Sequence, residues 1–420
     1  MIVRVIRRRL LATLLLSGFA AAATAAQTPL LVSLVPDGAA AKAAGSDRVL
    51  SAIRAEPATD TIEAVAVQAA HLAESTPALD LQLAPGRSIR AHQQYAYQNP
   101  DGTVVWSGRI EGLDDPAARL HRFGESEAVE APDASVLIVR NGDKLTGTIR
   151  AGEDVYQLRP LAGGGHVLSR LDLTRMPPDH PADYRPQLVQ PLDLEALAGS
   201  ADKANTVIRV GVLVSSSAAS AIGDLTGFAN LAIAESNQGY ANSGVQVTLQ
   251  LAYLGTTTYS GTNFSTALSH FAGTSDGNMD TWHATRNSTA SDLSVLIINN
   301  SSSCGIGYLN SNASTAFSVT HYGCATGYYT FAHEIGHNFG AHHNPEAPAN
   351  NTTYPYGHGY LAPARNWRTV MAYNCPSGCP RINYWSNPGV TYGGVPMGTA
   401  STHDNARLLN LRRTAVAAFR

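Results

Sequence analysis

Eleven consecutive residues, HEIGHNFGAHH (His333–His343), constrain this chain more than any other feature. They fit the pattern H-E-x-x-H-x-x-G-x-x-H at every fixed position. Residues four apart lie on one face of a helix, so His333 and His337 can present imidazoles to a single point. Glu334 sits one position round, within reach of a water held there. Gly340 can adopt the positive φ that ends a helix, turning the chain so that His343 completes a three-nitrogen site. Three protein ligands leave the fourth position of zinc open, which marks catalytic rather than structural zinc. A bare H-E-x-x-H arises by chance on amphipathic helices, but the added glycine and third histidine make coincidence a poor account. Metal-assisted hydrolysis of peptide bonds is the expected chemistry. His342 is expected to be a solvent-facing neighbour, because the spacing selects His343.

At 420 residues the chain is too long for one average domain. Its start reads as a secretory signal over residues 1–26. Arg4, Arg7, Arg8 and Arg9 form a basic region, Leu10 to Ala22 an apolar run, and Ala23-Thr24-Ala25 an A-x-A cleavage site. The run is shorter than the roughly 20 residues that a membrane span needs, so no membrane attachment is expected after signal cleavage. The four cysteines, Cys304, Cys324, Cys375 and Cys379, all lie in the C-terminal half. In an exported chain they suggest two disulfides. Three connectivities exist; the local pairs Cys304–Cys324 and Cys375–Cys379 are favoured.

Charge divides unevenly. Residues 27–203 carry 16 Lys and Arg against 24 Asp and Glu, whereas residues 204–420 carry 9 against 8 and no lysine. Neither half resembles a basic nucleic-acid surface, so no nucleic-acid partner is expected. Residues 27–75 are Ala-rich and weakly patterned, expected to be helical or loosely ordered. From about 85 to 170, runs such as TVVWSGRIEG and SVLIVRNGDKLTGTIR alternate with Asn-Pro-Asp-Gly and Asn-Gly-Asp turns, predicting a β-rich module. Residues 175–203 are rich in Pro, Asp and Ala and read as a linker. The remainder, 204–420, predicts an α/β sandwich with a mixed sheet: buried strands TVIRVGVLVSS, VQVTLQLAYLG and LSVLIINN, a long helix after the first, and GYYTFAHEIGHNFG as the metal-bearing helix.

HEIGHNFGAHH followed 28 residues later by Met371 in RTVMAY resembles the metzincin clan of zinc endopeptidases. Within it, FSVTHYGCATGYYTFAHEIGHNFG, YPYGHGYL, RTVMAYNC and CPRINYWSNP resemble the secreted bacterial peptidyl-Asp metallopeptidases of the Asp-N type, over about residues 205–420. Residues 85–165 more weakly resemble the propeptide module of reprolysin-like proteases. The resemblance implies a 27–203 propeptide before a 204–420 catalytic domain of metzincin type. It implies zinc on His333, His337 and His343, Glu334 as general base and then acid, and Met371 as an apolar floor. Tyr373, two residues on, would be a second catalytic group near the metal. Asn344 departs from the Asp that follows the third histidine in many reprolysin-type enzymes. The sequence carries no reading on calcium, and a monomer is expected.

If cleavage occurs before Asp, as the resemblance implies, the receiving pocket needs positive charge, best supplied by arginine. Arg381 is the first candidate and Arg368 the second. The CGIGYL segment (Cys304–Leu309) is the candidate edge strand for an extended substrate. The propeptide is expected to inhibit its own enzyme. It contains no cysteine, so a carboxylate such as Asp143 is a candidate to occupy the open metal position. Fifteen Asp in 27–203 against five in 204–420 suggest self-excision, with Asp202 the candidate cut. Two alternatives stand beside this reading: a broad-specificity metzincin with a hydrophobic pocket, and an inactive zinc-containing binding module.

Overall fold

The computed structural model describes residues 28–35, 47–113, 134–182, 184, 205–261, 263–347, 354–364, 366–376 and 378–420. Nine strands of the N-terminal half close into a barrel: β1 (Leu30–Leu34), β2 (Thr59–Val67), β3 (Ala78–Ala84), β4 (Arg87–Gln98), β5 (Val104–Ile110), β6 (Ala134–Asn141), β7 (Lys144–Ala151), β8 (Asp154–Pro160) and β9 (His166–Leu171). Closure leaves no strand edge unpaired, which removes the usual route to edge aggregation. Leu81, Trp106, Ile138 and Leu158 fill its core.

The β-rich module therefore extends well outside the expected 85–170. Residues 27–75 were expected to be helical or loose, yet β1 and β2 lie there, and among the described residues between them one α-helix forms, α1 (Arg48–Ala55). The alanines of TDTIEAVAV adopt strand geometry because β2 pairs antiparallel with both β1 and β9. Pairing partners, not intrinsic preference, decide a strand of this composition.

In the C-terminal half, β10 (Thr206–Ser215) joins a five-stranded sheet ordered β11-β10-β12-β14-β13, where β11 is Val247–Thr257, the central β12 Leu293–Ile298, β13 Gly305–Gly307 and β14 Phe317–His321. The first four strands are parallel, and β13 runs antiparallel along one edge. A parallel centre must be covered on both faces, which explains the continuous apolar runs of β10 and β12. The single long helix expected after β10 is two. Gly223 at φ +79° stops α2 (Ser216–Ile222), and Asp224 caps α3 (Leu225–Asn242) by accepting from the Gly227 N–H at 3.1 Å. Four helices follow: α4 (Phe264–Ala272), α5 (Trp282–Ser288), α6 (Tyr322–Ala325) and α7 (Thr330–Phe339). A β-ribbon of β15 (Asn387–Tyr392) and β16 (Val395–Met397) and the final helix α8 (Asn405–Val416) close the chain. Helix α7 lies under the sheet, with Ile335 and Phe339 in the same core as Val210, Val212, Phe228 and Trp385.

Both expected disulfides form, Cys304–Cys324 and Cys375–Cys379, and among the described residues no cysteine is free. The first ties the start of β13 to α6, closing a separation of 20 residues, whereas the second spans 4. Chain-entropy arguments give about 3 kcal/mol for the longer loop and about 2 kcal/mol for the shorter. Replacing Cys304 and Cys324 together by Ala is expected to lower denaturant stability more than replacing Cys375 and Cys379. Equal losses in matched urea titrations would contradict the loop argument.

The barrel is docked onto the loop that leads into α7. Gln157 Nε2 donates to the Thr326 carbonyl at 3.0 Å, an Arg159 nitrogen to Thr326 Oγ1 at 2.9 Å, and Arg150 to the Gly327 carbonyl at 2.5 Å. After β9 a 3₁₀ turn, Leu173–Arg175, leads to Pro178 and Asp179, whose carbonyls accept from the Cys304 and Gly305 N–H groups at 2.8 and 3.0 Å.

Candidate metal centre

Helix α7 ends as its glycine predicts. Gly340 sits at φ +103°, its N–H donates to the His337 carbonyl at 2.8 Å, and the Ala341 N–H donates to the Gly336 carbonyl at 2.9 Å. This pair of bonds is the Schellman closure that satisfies orphan carbonyls at a helix end. The reversal carries His343 back beside His333 and His337, and the Nε2 atoms of His333 and His343 stand 3.3 Å apart. The Ala341 carbonyl of the same turn accepts from His337 Nδ1 at 2.8 Å, and the Val370 carbonyl accepts from His333 Nδ1, also at 2.8 Å.

Those bonds decide the tautomers. A carbonyl can only accept, so in the neutral rings Nδ1 carries the proton and Nε2 presents a lone pair. Burial, reinforced by the neighbouring imidazoles, holds all three histidines well below their ordinary pKa and keeps them neutral. A fourth ring joins them. His180 Nε2 lies 3.1 Å from that of His333, 2.7 Å from His343 and 3.3 Å from His337, while His180 Nδ1 donates to the Gly305 carbonyl at 2.9 Å. Burial holds His180 down to about 4, against the opposing pull of Asp179. Buried lone pairs converging this closely repel one another unless a cation lies between them. Tetrahedral zinc with Zn–N of about 2.05 Å would set its nitrogens roughly 3.3 Å apart, close to the spacings here. The four residues form a buried group whose ligand atoms all lie within 4.8 Å of one another. The donor set fits zinc.

Glu334 faces this cluster. Its carboxylate is fully buried and accepts no hydrogen bond among the described residues, and Oε1 lies 3.7 Å from His180 Nδ1. Burial, then the negative Asp179, raises its pKa well above the carboxylate range, although Arg381 opposes this. Room for it comes from the edge strand: a Cβ at Gly305 would fall 2.4 Å from Glu334 Oε1, and one at Gly307 would fall 2.8 Å from the Glu334 carbonyl. Met371 is completely buried under α7. A Cβ on Gly336 would meet Met371 Sδ at 2.8 Å and the Trp385 ring at 2.7 Å. Glycine inside a helix costs about 0.5–1 kcal/mol relative to alanine, and this close approach is its reason. Gly336→Ala is expected to destabilise the fold by about 1–3 kcal/mol through overpacking; an unchanged urea midpoint would sink that reading.

The Tyr373 ring stacks on His343 at 4.1 Å between centroids. The unusual Asn344 has a clear task, since its Oδ1 accepts from the Tyr373 N–H at 2.9 Å and its Nδ2 donates to Glu346 at 3.0 Å. Arg381 and Arg368 are both nearly inaccessible and converge on Asp179, at 2.6 Å and 3.4 Å. Tyr328 holds the pair: its hydroxyl accepts from Arg368 at 2.6 Å, its carbonyl accepts from Arg381 at 3.2 Å, and its ring lies 4.5 Å from the Arg381 guanidinium carbon. Burial alone would raise Asp179, but the two guanidiniums outweigh it and hold the carboxyl below its ordinary value.

Two expectations fail. His342 is not solvent-facing: after the Gly340 reversal it is buried, donates its N–H to the Gly357 carbonyl at 2.8 Å and packs its ring 5.4 Å from that of His358. Asp143 is exposed at the tip of the β6–β7 hairpin and is not in the metal cluster, so it does not cap the site. Asp202 lies outside the described residues. Asp179 and His180, inside the stretch read as a linker, are functional candidates that pattern reading missed. The signal available was a His beside an Asp between prolines, MPPDHPADY, and proline's fixed φ favours an extended, pre-set backbone.

Residues 204–386 match the family model of the M12 metallopeptidases, reprolysin type. The chain is 43% identical over 415 residues to a protein of Stenotrophomonas maltophilia named peptidyl-Asp metalloendopeptidase, spanning 97% of both chains. It is also 43% identical over 387 residues to the protein of that name from Xanthomonas campestris pv. campestris, covering 91% of each. A Pseudomonas fragi protein of the same name is 41% identical over 189 residues, 44% of this chain and all of the relative.

Proposed function

This chain belongs to the peptidyl-Asp metalloendopeptidase family, and from that premise we propose that it is a secreted zinc endopeptidase cutting on the N-terminal side of Asp. Metalloendopeptidase activity follows from the family; the metal, the side of cleavage and the roles of individual residues are the proposal. His333, His337 and His343 would hold one zinc ion. When bound, zinc polarises the scissile carbonyl and acidifies a water.

The chain's own residues do the rest. Glu334, with both oxygens free of hydrogen bonds among the described residues, takes the proton from the attacking water and later gives it to the departing amine. Its raised proton affinity suits that second step. The Tyr373 hydroxyl steadies the negative charge that develops on the carbonyl oxygen. Substrate lies extended against the β13 edge, where the Cys304 and Gly305 N–H groups already donate to the chain at 2.8 and 3.0 Å.

The observation that carries the Asp reading is the Asp179 carboxylate lodged between Arg381 and Arg368. Two buried guanidiniums without an anion would be costly, which disfavours the alternative of a broad hydrophobic pocket. The inactive-module alternative gives no reason for a buried, unbonded Glu334 beside the ligands. Digestion of a peptide mixture with alignment of the cut sites tests the specificity; cuts without enrichment for Asp on the C-terminal side of the bond would refute it.

Residues 1–26 act as the export signal and 27–203 as an inhibitory prosegment, and the excised enzyme works as a monomer. Among the described residues no helix is long and apolar enough to cross a membrane. Release by self-cleavage before Asp202 predicts a mature N-terminus within 193–205. Edman sequencing of the secreted enzyme checks this, and a start outside that window would count against it.

A further inference from the structure

Asp179 and His180 are adjacent in sequence, lie outside the regular elements, and occupy the two parts of the site that hydrolysis needs empty. His180 is buried, with Nε2 2.7–3.3 Å from the three ligand nitrogens. Its other nitrogen is engaged by the Gly305 carbonyl, so the free lone pair points at the metal position. Asp179 gives its two carboxylate oxygens to Arg381 and Arg368. The backbone is held as well: the Pro178 and Asp179 carbonyls accept from the Cys304 and Gly305 N–H groups. Those are consecutive residues bonded to consecutive residues in the same direction. A parallel ladder bonds only alternate residues to a given neighbour, so the segment uses the substrate edge without being seated as an added strand. Tyr184 covers the outside, stacked on His180 at 4.2 Å.

We propose that Asp179 and His180 form a two-point plug, in which His180 is the metal's fourth protein ligand in the unprocessed chain and Asp179 fills the arginine pocket. The inference rests on the zinc-endopeptidase reading and deepens it. Four nitrogens close a tetrahedral zinc, and a closed site has the character of structural zinc, with no position left for water or a carbonyl. The same ring lies against the Glu334 carboxylate, its Nδ1 3.7 Å from Oε1. The pocket built for an incoming Asp is satisfied by one supplied within the chain, so an Asp-containing substrate must displace both contacts at once. Latency here needs no thiol. A neutral imidazole does the work, and it leaves with the prosegment after cleavage.

The test uses the full-length chain carrying Glu334→Gln, so that it cannot process itself, loaded with one equivalent of zinc. X-ray absorption at the zinc edge should count four imidazoles, and adding His180→Ala should leave three plus an oxygen. Zinc transfer to a chelator should then accelerate by about 10-fold or more, as loss of a ligand-shell partner does elsewhere. Asp179→Asn in the same background keeps the volume and His180. It should retain the four-imidazole signal and the fold by near-ultraviolet circular dichroism. In the chain with Glu334 intact it should shorten the time to self-processing. Three imidazoles in the chain with His180 present would overturn the plug while leaving the hydrolase reading intact. A chain that takes up no zinc would bring down the hydrolase reading itself.

Discussion

Enzyme carrying Glu334→Gln, its prosegment removed in trans by the parent enzyme and then purified away from it, is expected to lose peptide hydrolysis by about 10²- to 10⁴-fold, the range attributed to general acid–base catalysis, while keeping its zinc. The prediction separates catalysis from metal binding. Glu334 does not belong to the cluster of four imidazoles that can hold the ion, and among the described residues its carboxylate makes no hydrogen bond that the fold would miss. Glutamine preserves the shape between Gly305 and Gly307, where a side chain of this size already fits closely. Removing a buried, proton-avid carboxyl also removes a desolvation cost, so thermal stability should hold or rise. Zinc content by atomic absorption and kcat/KM on an Asp peptide settle the matter together. Activity within tenfold of the parent would show that another group handles the proton; loss of zinc would show that the glutamate has a structural part.

Removal of one guanidinium from the pocket should produce the second large effect. Breaking a buried charge pair by truncating one partner costs about 3–5 kcal/mol, so Arg381→Ala should lower kcat/KM for cleavage before Asp by roughly 10²- to 4 × 10³-fold at about 1.4 kcal/mol per decade. Arg368→Ala should cost less: its contact with Asp179 is 3.4 Å against 2.6 Å, and the Tyr328 hydroxyl and Ala372 carbonyl already occupy other parts of its fork. Cleavage before a neutral residue should change little in either variant, so the ratio of the two rates is the informative quantity. An unchanged Asp preference in Arg381→Ala would move the specificity elsewhere.

The cluster of His333, His337 and His343 was legible because all three come from one helix and the turn that ends it. Four-residue spacing, a glycine able to take φ +103° and one more histidine are local facts, and local facts are what a pattern records. The same holds for the two short-range disulfides and for the buried parallel strands. What the pattern could not carry was long-range. His180 meets His333 across 153 positions, and Asp179 meets Arg381 across 202. Its surroundings of Pro, Asp and Ala are those of an exposed tether, and nothing periodic distinguishes them. The barrel's first two strands were missed for a related reason, because Ala-rich sequence takes strand form only when neighbours on both sides supply the pairing. His342 was misjudged because the reversal at Gly340 brings Gly357 and His358 over it, a contact fixed by tertiary packing.

The most direct measurement is hydrolysis of a defined peptide mixture by the secreted, processed enzyme as a function of bound zinc, with every cut site mapped. The account predicts one zinc per chain, cuts placed before Asp, full loss of cutting on chelation and recovery on return of one equivalent. Cutting that survives complete removal of the metal, or zinc-loaded enzyme that cuts nothing, would contradict it.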